Sequence, residues 1–326
     1  MKYLILAIAV VLSGSLAWAE AEEELHIHLP NGANSVFADS PMTWRAELMD
    51  TNALEGQMTW SLSLSGGVVA RREQRVILRP NEPVGVDIQV ELPSVKEGVV
   101  VDGELKVALL DDQRRLRAEI TYPVFLFGRN PAALRSEWIK DLDLHVFDPD
   151  GETATVLDEL EWPYRLISNL SAFDTLDDAV LLIGEGCSLR ARRGLMESAV
   201  RAARKGVRVA FLSPLEGAFM LSQITEESPR PVSLRFQDES FVRELDKRLD
   251  VPPVRGTFRI AGQRTGAEVV VEPAGGWTCL EASWDNGGRL LITGCGLLDT
   301  WETSPAPRYL LVRILEWITT EKEREE

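Results

Sequence analysis

Gly184-Glu185-Gly186-Cys187-Ser188 is the stretch of this chain best equipped for chemistry. It follows an apolar run, residues 179–183, that reads as a buried strand, and it leads into a segment with a helical apolar face. A thiol between the carboxyl end of a strand and a helix start lies where open α/β sheets bind ligands. Backbone N–H groups and the helix dipole also favour a thiolate there. A cysteine nucleophile needs a base as well. His26 and His28 fall in the other half of the chain, which leaves His145, and no histidine follows Cys187. Cys187 with Glu185 and His145 is therefore a thin constellation for catalysis. A turn whose glycines permit close packing explains the same residues more simply, so no catalytic residue is assigned. The expected ligand cleft comprises Gly184, Glu185, Gly186, Cys187 and Ser188, with Asp148 from the end of an earlier strand.

The carboxylates of Asp148-Pro149-Asp150-Gly151-Glu152 offer a second chemistry. A strand ending in D-x-D-G is similar to the first motif of haloacid-dehalogenase-like phosphatases, but Thr directly follows the glycine there and Glu152 intervenes here. The segment is also an ordinary turn sequence. Asp148, Asp150 and Glu152 are oxygen ligands in type, yet their spacing matches no complete calcium loop. The three cysteines, Cys187, Cys279 and Cys295, all sit in apolar segments, where the thiol behaves as a small core group. The odd count leaves at least one unpaired, and a Cys279–Cys295 bridge stays open. With no C-x-x-C and no Cys/His cluster, neither a metal nor a cofactor is expected. Trp44, Trp60, Trp277, Trp284 and Trp301 read first as core aromatics, with sugar stacking as the competing role.

These residues need elements to hold them, and the chain divides into two kinds. Residues 1–19 predict an export signal: Lys2, an apolar run, then Ala17-Trp18-Ala19 ahead of an abruptly acidic stretch. Cleavage there leaves about 307 residues, comfortable for two domains, and moves the net charge from −16 to −17. Such an acidic surface argues against nucleic acid and anionic membranes as partners. No later apolar run reaches membrane length, so no insertion is expected after cleavage.

From residue 20 to 127 the pattern is one short strand after another, over 26–29, 42–48, 58–64, 75–78, 84–90, 103–109 and 118–127, with turn residues between. Period-two alternation without a helix predicts an all-β immunoglobulin-like sandwich. Gly128-Arg129-Asn130-Pro131 marks the boundary. Residues 128–320 then alternate strands (142–147, 179–183, 207–212, 232–236, 257–260, 268–271, 278–284, 289–293) with helices (153–160, 189–205, 238–249, 305–319). Strand–helix–strand units of this kind predict an α/β, doubly wound, flavodoxin-like domain. Residues 321–326 form a charged tail.

Gly184-Glu185-Gly186-Cys187, the helix ending at Arg204-Lys205-Gly206, the strand from Val207 to Pro214, and Arg289-Leu290-Leu291-Ile292-Thr293-Gly294 with Pro305 carry a resemblance. The second half, roughly 132–320, resembles the class I glutamine amidotransferase-like superfamily, and more narrowly its non-catalytic members that accompany sandwich domains in bacterial secreted proteins and glycosidases. Active amidotransferases of that class carry a G-x-C-x-G elbow with a later His and Glu. Gly-Glu-Gly-Cys-Ser-Leu lacks the second flanking glycine, and Gly294-Cys295-Gly296 has no later His. The resemblance thus implies the fold without the activity. The expectation is a secreted or periplasmic, non-enzymatic binding or scaffolding protein of the cell envelope, whose partners are other exported proteins or carbohydrate. A Cys187-dependent hydrolase or amidotransferase-like enzyme is the alternative.

Overall fold

The computed structural model describes residues 25–30, 33–220, 224, 230–238, 240–255, 258–264, 267–271 and 277–320. The expected export signal (1–19) and charged tail (321–326) lie outside the described residues.

Eight strands build the first half: β1 (Leu25–His28), β2 (Ser35–Phe37), β3 (Pro41–Asp50), β4 (Leu54–Leu64), β5 (Gly67–Leu78), β6 (Val84–Glu91), β7 (Val100–Asp111) and β8 (Leu116–Phe127). They pair as two sheets, in the orders β1-β3-β6 and β2-β8-β7-β4-β5. This is the immunoglobulin arrangement, A-B-E facing G-F-C-C′ with a split first strand. Alternation puts Trp44, Leu48 and Ile88 of one sheet against Met58, Leu62, Leu105 and Leu126 of the other, all fully buried. Trp44 is 0 % exposed and Trp60 5 %, so both are core aromatics. β5 begins eight residues earlier than its alternation suggested. Residues 67–75 pair with β4 while burying neither face, so side-chain pattern carries no trace of them.

The second half forms a seven-stranded sheet in the order β10-β9-β11-β12-β18-β17-β14 and a small sheet β13-β15-β16. The strands are β9 (Leu144–Phe147), β10 (Arg165–Leu166), β11 (Val180–Ile183), β12 (Arg208–Phe211), β13 (Gly217–Met220), β14 (Ser233–Asp238), β15 (Phe258–Arg264), β16 (Ala267–Val271), β17 (Trp277–Ser283) and β18 (Arg289–Thr293). The first five strands of the large sheet run parallel, and β17 and β14 are antiparallel to their neighbours. The helices are α1 (Ser136–Asp141), α2 (Glu152–Glu159), α3 (Leu195–Arg204), α4 (Ser240–Leu245) and α5 (Pro305–Thr319). Strand residues Val146, Leu182, Ala210 and Leu291 pack with Leu311, Ile314 and Leu315 of α5. Their alternates Leu181, Ile183, Val209 and Ile292 pack with Leu195, Ala199 and Val200 of α3.

Two helix expectations are corrected. The helix expected over 189–205 starts only at Leu195. Ser188 Oγ accepts from the Ala191 N–H and closes a turn, and Gly194, at φ 83°, is the N-cap. The helix expected over 238–249 stops at Leu245, because the Asp246 carboxylate turns back to accept from the Arg248 backbone N–H and guanidinium.

The two halves share a packed boundary. Phe127 is fully buried within the core of the second half, its ring 4.6 Å from that of Tyr309 in an edge-on contact. Tyr309 Oη donates to the Gly128 carbonyl (3.2 Å), and Asp250 accepts from the backbone N–H and hydroxyl of Ser35 (2.8 and 2.7 Å).

Asp246 ties α4 to α5. Besides Arg248 it accepts from Arg313 Nη2 (3.0 Å), and Arg313 continues to Glu316, which also pairs with Arg135. Burial acts to raise its pKa, but the arginine hydrogen bonds outweigh burial and hold the carboxyl at about 2. The folded value lies below the unfolded one, about 3.9. The stabilisation is therefore complete above roughly pH 4 and is lost as pH falls toward 2, about 2 kcal/mol in all. Acid titrations of the urea midpoint will show the margin of the native chain over Asp246→Asn shrinking across that window.

Candidate functional site

The carboxyl ends of β9 and β11 meet, with the Gly184 N–H donating to the Phe147 carbonyl (2.9 Å). From β9 the chain passes to β10 on one side and then crosses back to β11 on the other, so the loops after β9 and β11 diverge. Such a divergence is where open α/β sheets hold ligands. Here it gathers Asp148, Gly184, Glu185, Gly186, Cys187 and Ser188.

The loops interlock closely. A Cβ on Gly184 would lie 2.6 Å from Asp148 Oδ1, so only glycine fits beside that carboxylate. Gly186 sits at φ 84°, a conformation costly for other residues. Its N–H donates to the Ser213 carbonyl, and the Cys187 carbonyl accepts from the Leu215 N–H (2.9 Å). The loop after β12 is thereby stitched across the cleft. Thr153 Oγ1 accepts from the Glu185 N–H (2.9 Å), and Thr293 Oγ1 from the Ser213 N–H (3.1 Å).

Asp148 is 6 % exposed. Its Oδ2 accepts from the Ala154 N–H (2.8 Å) in the first turn of α2, which confirms the turn reading of Asp-Pro-Asp-Gly. Its Oδ1 is buried with no hydrogen-bond partner among the described residues. Asp150 pairs with Arg192 at 3.7 Å. No group of three metal-ligating side chains occurs among the described residues.

Glu185 is the most heavily engaged of the set. Its carboxylate accepts from the backbone N–H groups of Leu297 (2.6 Å) and Leu298 (3.1 Å) and from Arg255 Nη1 (3.0 Å). Arg255 Nε also reaches Asp299 (3.0 Å). Burial raises the Glu185 pKa, and these hydrogen bonds partly oppose it. Oε2 thus holds the loop after β18, and Oε1 is committed to Arg255.

Cys187 is fully buried, and burial pushes its thiol up to about 12, the carboxylates of Asp148 and Asp150 adding to the shift and Arg192 opposing it. Cys295 is likewise raised to about 12 by burial, and Cys279 is raised further still. All three are free thiols, which closes the question of a Cys279–Cys295 bridge. His145 does not join the cluster. Its Nε2 lies 3.2 Å from Asp143, just ahead of β9, at the opposite end of the strands from Cys187. Trp284 and Trp301 are buried at 4 % and 3 % exposed, and the Trp277 side chain lies outside the described residues.

Thr153, Ser213, Arg255 and Thr293 complete the cluster without having been singled out as site residues from sequence, and Asp299, read there only as a residue that could border a carbohydrate groove, joins it through Arg255. Arg255 and Glu185 are seventy residues apart, and no short-range pattern links them.

No family model and no curated protein matches the chain. Among solved structures it is similar to the CARDB domain of a Pyrococcus furiosus protein bound to di-metal ions, at 10 % identity and TM-score 0.25, over 32 % of this chain and 87 % of that one. Fibronectin(III)-like modules of Clostridium thermocellum CbhA match at 10 % identity and TM-score 0.22, over 32 % and 98 %. A Bacteroides fragilis protein provisionally assigned as a β-galactosidase matches at 10 % identity and TM-score 0.26, over 59 % of this chain and 34 % of that one. None of the three is an amidotransferase, and at TM-scores of this size no binding property or activity carries over.

Proposed function

We propose that this chain is an exported, non-enzymatic binding or scaffolding protein of the cell envelope, whose second half is a catalytically degenerate, amidotransferase-like domain of the doubly wound type. The strand order β10-β9-β11-β12-β18 supports the fold assignment: numbered along the chain it is 2-1-3-4-5, the flavodoxin-like order.

The observation that carries the functional reading is the state of Cys187. A thiol nucleophile acts as thiolate and needs access to substrate. This one is sealed in the core, held protonated by burial, has His145 turned instead to Asp143 ahead of β9, and is flanked by a glutamate already saturated with hydrogen bonds. An acidic surface of −16 favours protein or uncharged carbohydrate partners over nucleic acid. The signal-like first nineteen residues support secretion or a periplasmic location, and no helix among the described residues is long and apolar enough to cross a membrane.

Assays of glutamine and activated-ester hydrolysis separate this reading from a thiol enzyme. The purified chain and its Cys187→Ala variant are expected to show the same background rate. Turnover that disappears with Cys187→Ala would sink the reading.

A further inference from the structure

At the end of the large sheet opposite the interlocked loops lies a groove of about 820 Å³, lined by Arg208, Arg235 and Arg289 with Ser233, Ser283 and Asp285. Its floor follows from strand register. Arg208 at the start of β12 pairs with Arg289 at the start of β18, Arg289 with Ser283 at the end of β17, and Ser283 with Ser233 at the start of β14. Residues paired in register point to the same face. One row across four strands therefore carries two adjacent arginines and two hydroxyls, and Arg235 enters two residues along β14 from Ser233.

Adjacent like charges repel, and a buried guanidinium loses its hydration. Arg289 meets both conditions: it is 8 % exposed, and burial, together with the neighbouring Arg208 charge, disfavours its charged form while Glu281 opposes them. The hydrogen bond found for its guanidinium among the described residues runs from Nη1 to the Trp317 carbonyl in the last turn of α5 (2.6 Å). That bond orients the fork of a side chain that lines the groove. The hydroxyls of Thr319 and Thr320 bond back to the Leu315 and Glu316 carbonyls at the same helix end. Arg208 is steadied by Asp178 at 2.9 Å. Arg235 is exposed and stands in register with the buried Glu281 of β17. Ser233 and Ser283 share a hydrogen bond of 2.7 Å and together present an adaptable hydroxyl pair.

In a chain this acidic, three arginines line one groove beside a single lining carboxylate, Asp285, with Asp178 paired to Arg208 and the buried Glu281 in register with Arg235. Planar forks of this kind match the oxygens of a tetrahedral oxyanion. We propose that this groove is a binding site for a phosphoryl group carried on a small polar molecule, with Arg289 as the buried anchor, Arg208 as its partner and Arg235 closing from the open side. The site is separate from the Cys187 cluster and does not depend on the reading given for it.

Calorimetric titration of the full chain at low salt with inorganic phosphate, a hexose phosphate and the parent hexose tests the assignment. Both phosphates are expected to bind and the hexose not. Arg235→Ala should weaken binding by about tenfold or more, the scale of a charge-assisted contact, with the melting temperature unchanged because the side chain is exposed. Arg208→Gln should weaken it similarly, and affinity should fall as salt is raised, as for any exposed charge pairing. Absence of phosphate binding at roughly 10 mM, where a Kd in the millimolar range would register, overturns the proposal. So do equal binding by the parent hexose and undiminished binding by Arg235→Ala.

Discussion

Glu185→Ala is expected to lower unfolding stability by about 3 kcal/mol, and Glu185→Gln by only about 1 kcal/mol. Alanine deletes the acceptor of two backbone N–H groups, one of them buried, and strips Arg255 of its buried partner. An unsatisfied buried donor costs about 1–3 kcal/mol. Glutamine keeps an oxygen for Leu297 and Leu298 and removes the charge whose burial raises the Glu185 pKa, while Arg255 retains Asp299. Urea unfolding of the three proteins measures the order directly. If alanine and glutamine prove equally mild, the clasp between the loops after β11 and β18 contributes little, and the closed cleft loses its support.

The second large effect is expected at the boundary between the halves. Phe127→Ala should cost about 3–5 kcal/mol, the range for emptying a buried aromatic site, because Phe127 is fully enclosed by the core of the second half and meets the Tyr309 ring edge-on. It should also separate the unfolding of the sandwich from that of the second half, since the same residue ends β8 and fills the other core. Scanning calorimetry of the variant will then show two resolved transitions where the parent shows closer coupling. A cost under about 1 kcal/mol, below even a mild core truncation, would mean that the halves do not pack in solution as described.

How much of this was legible in sequence follows from the range of the forces involved. Where one face is buried and the other wet, as in residues 42–48 and 84–90, alternation reveals the strand, and the sandwich follows. Residues 67–75 bury neither face, and their strand exists only through backbone pairing to β4, which side chains do not record. The start of α3 was misplaced because Ser188 caps a turn rather than the helix, and the intervening arginines have no apolar face to dock. For the candidate site, the residues on the two loops were readable as Gly184, Glu185, Gly186, Cys187, Ser188 and Asp148, since strand ends and glycines mark them locally. What those residues do there was not readable. Arg255, Leu297 and Leu298 close on Glu185 across seventy residues or more, and the arginine row of the opposite end arises from register between strands distant in sequence.

Cys187 is a core thiol in a closed cleft. Alkylation of the folded chain across pH, with each labelled cysteine mapped by mass spectrometry, tests it most directly. Cys187, Cys279 and Cys295 are all expected to remain unlabelled until denaturant is added. Rapid native labelling of Cys187, with an apparent pKa well below the ordinary value of about 8.5, would contradict it.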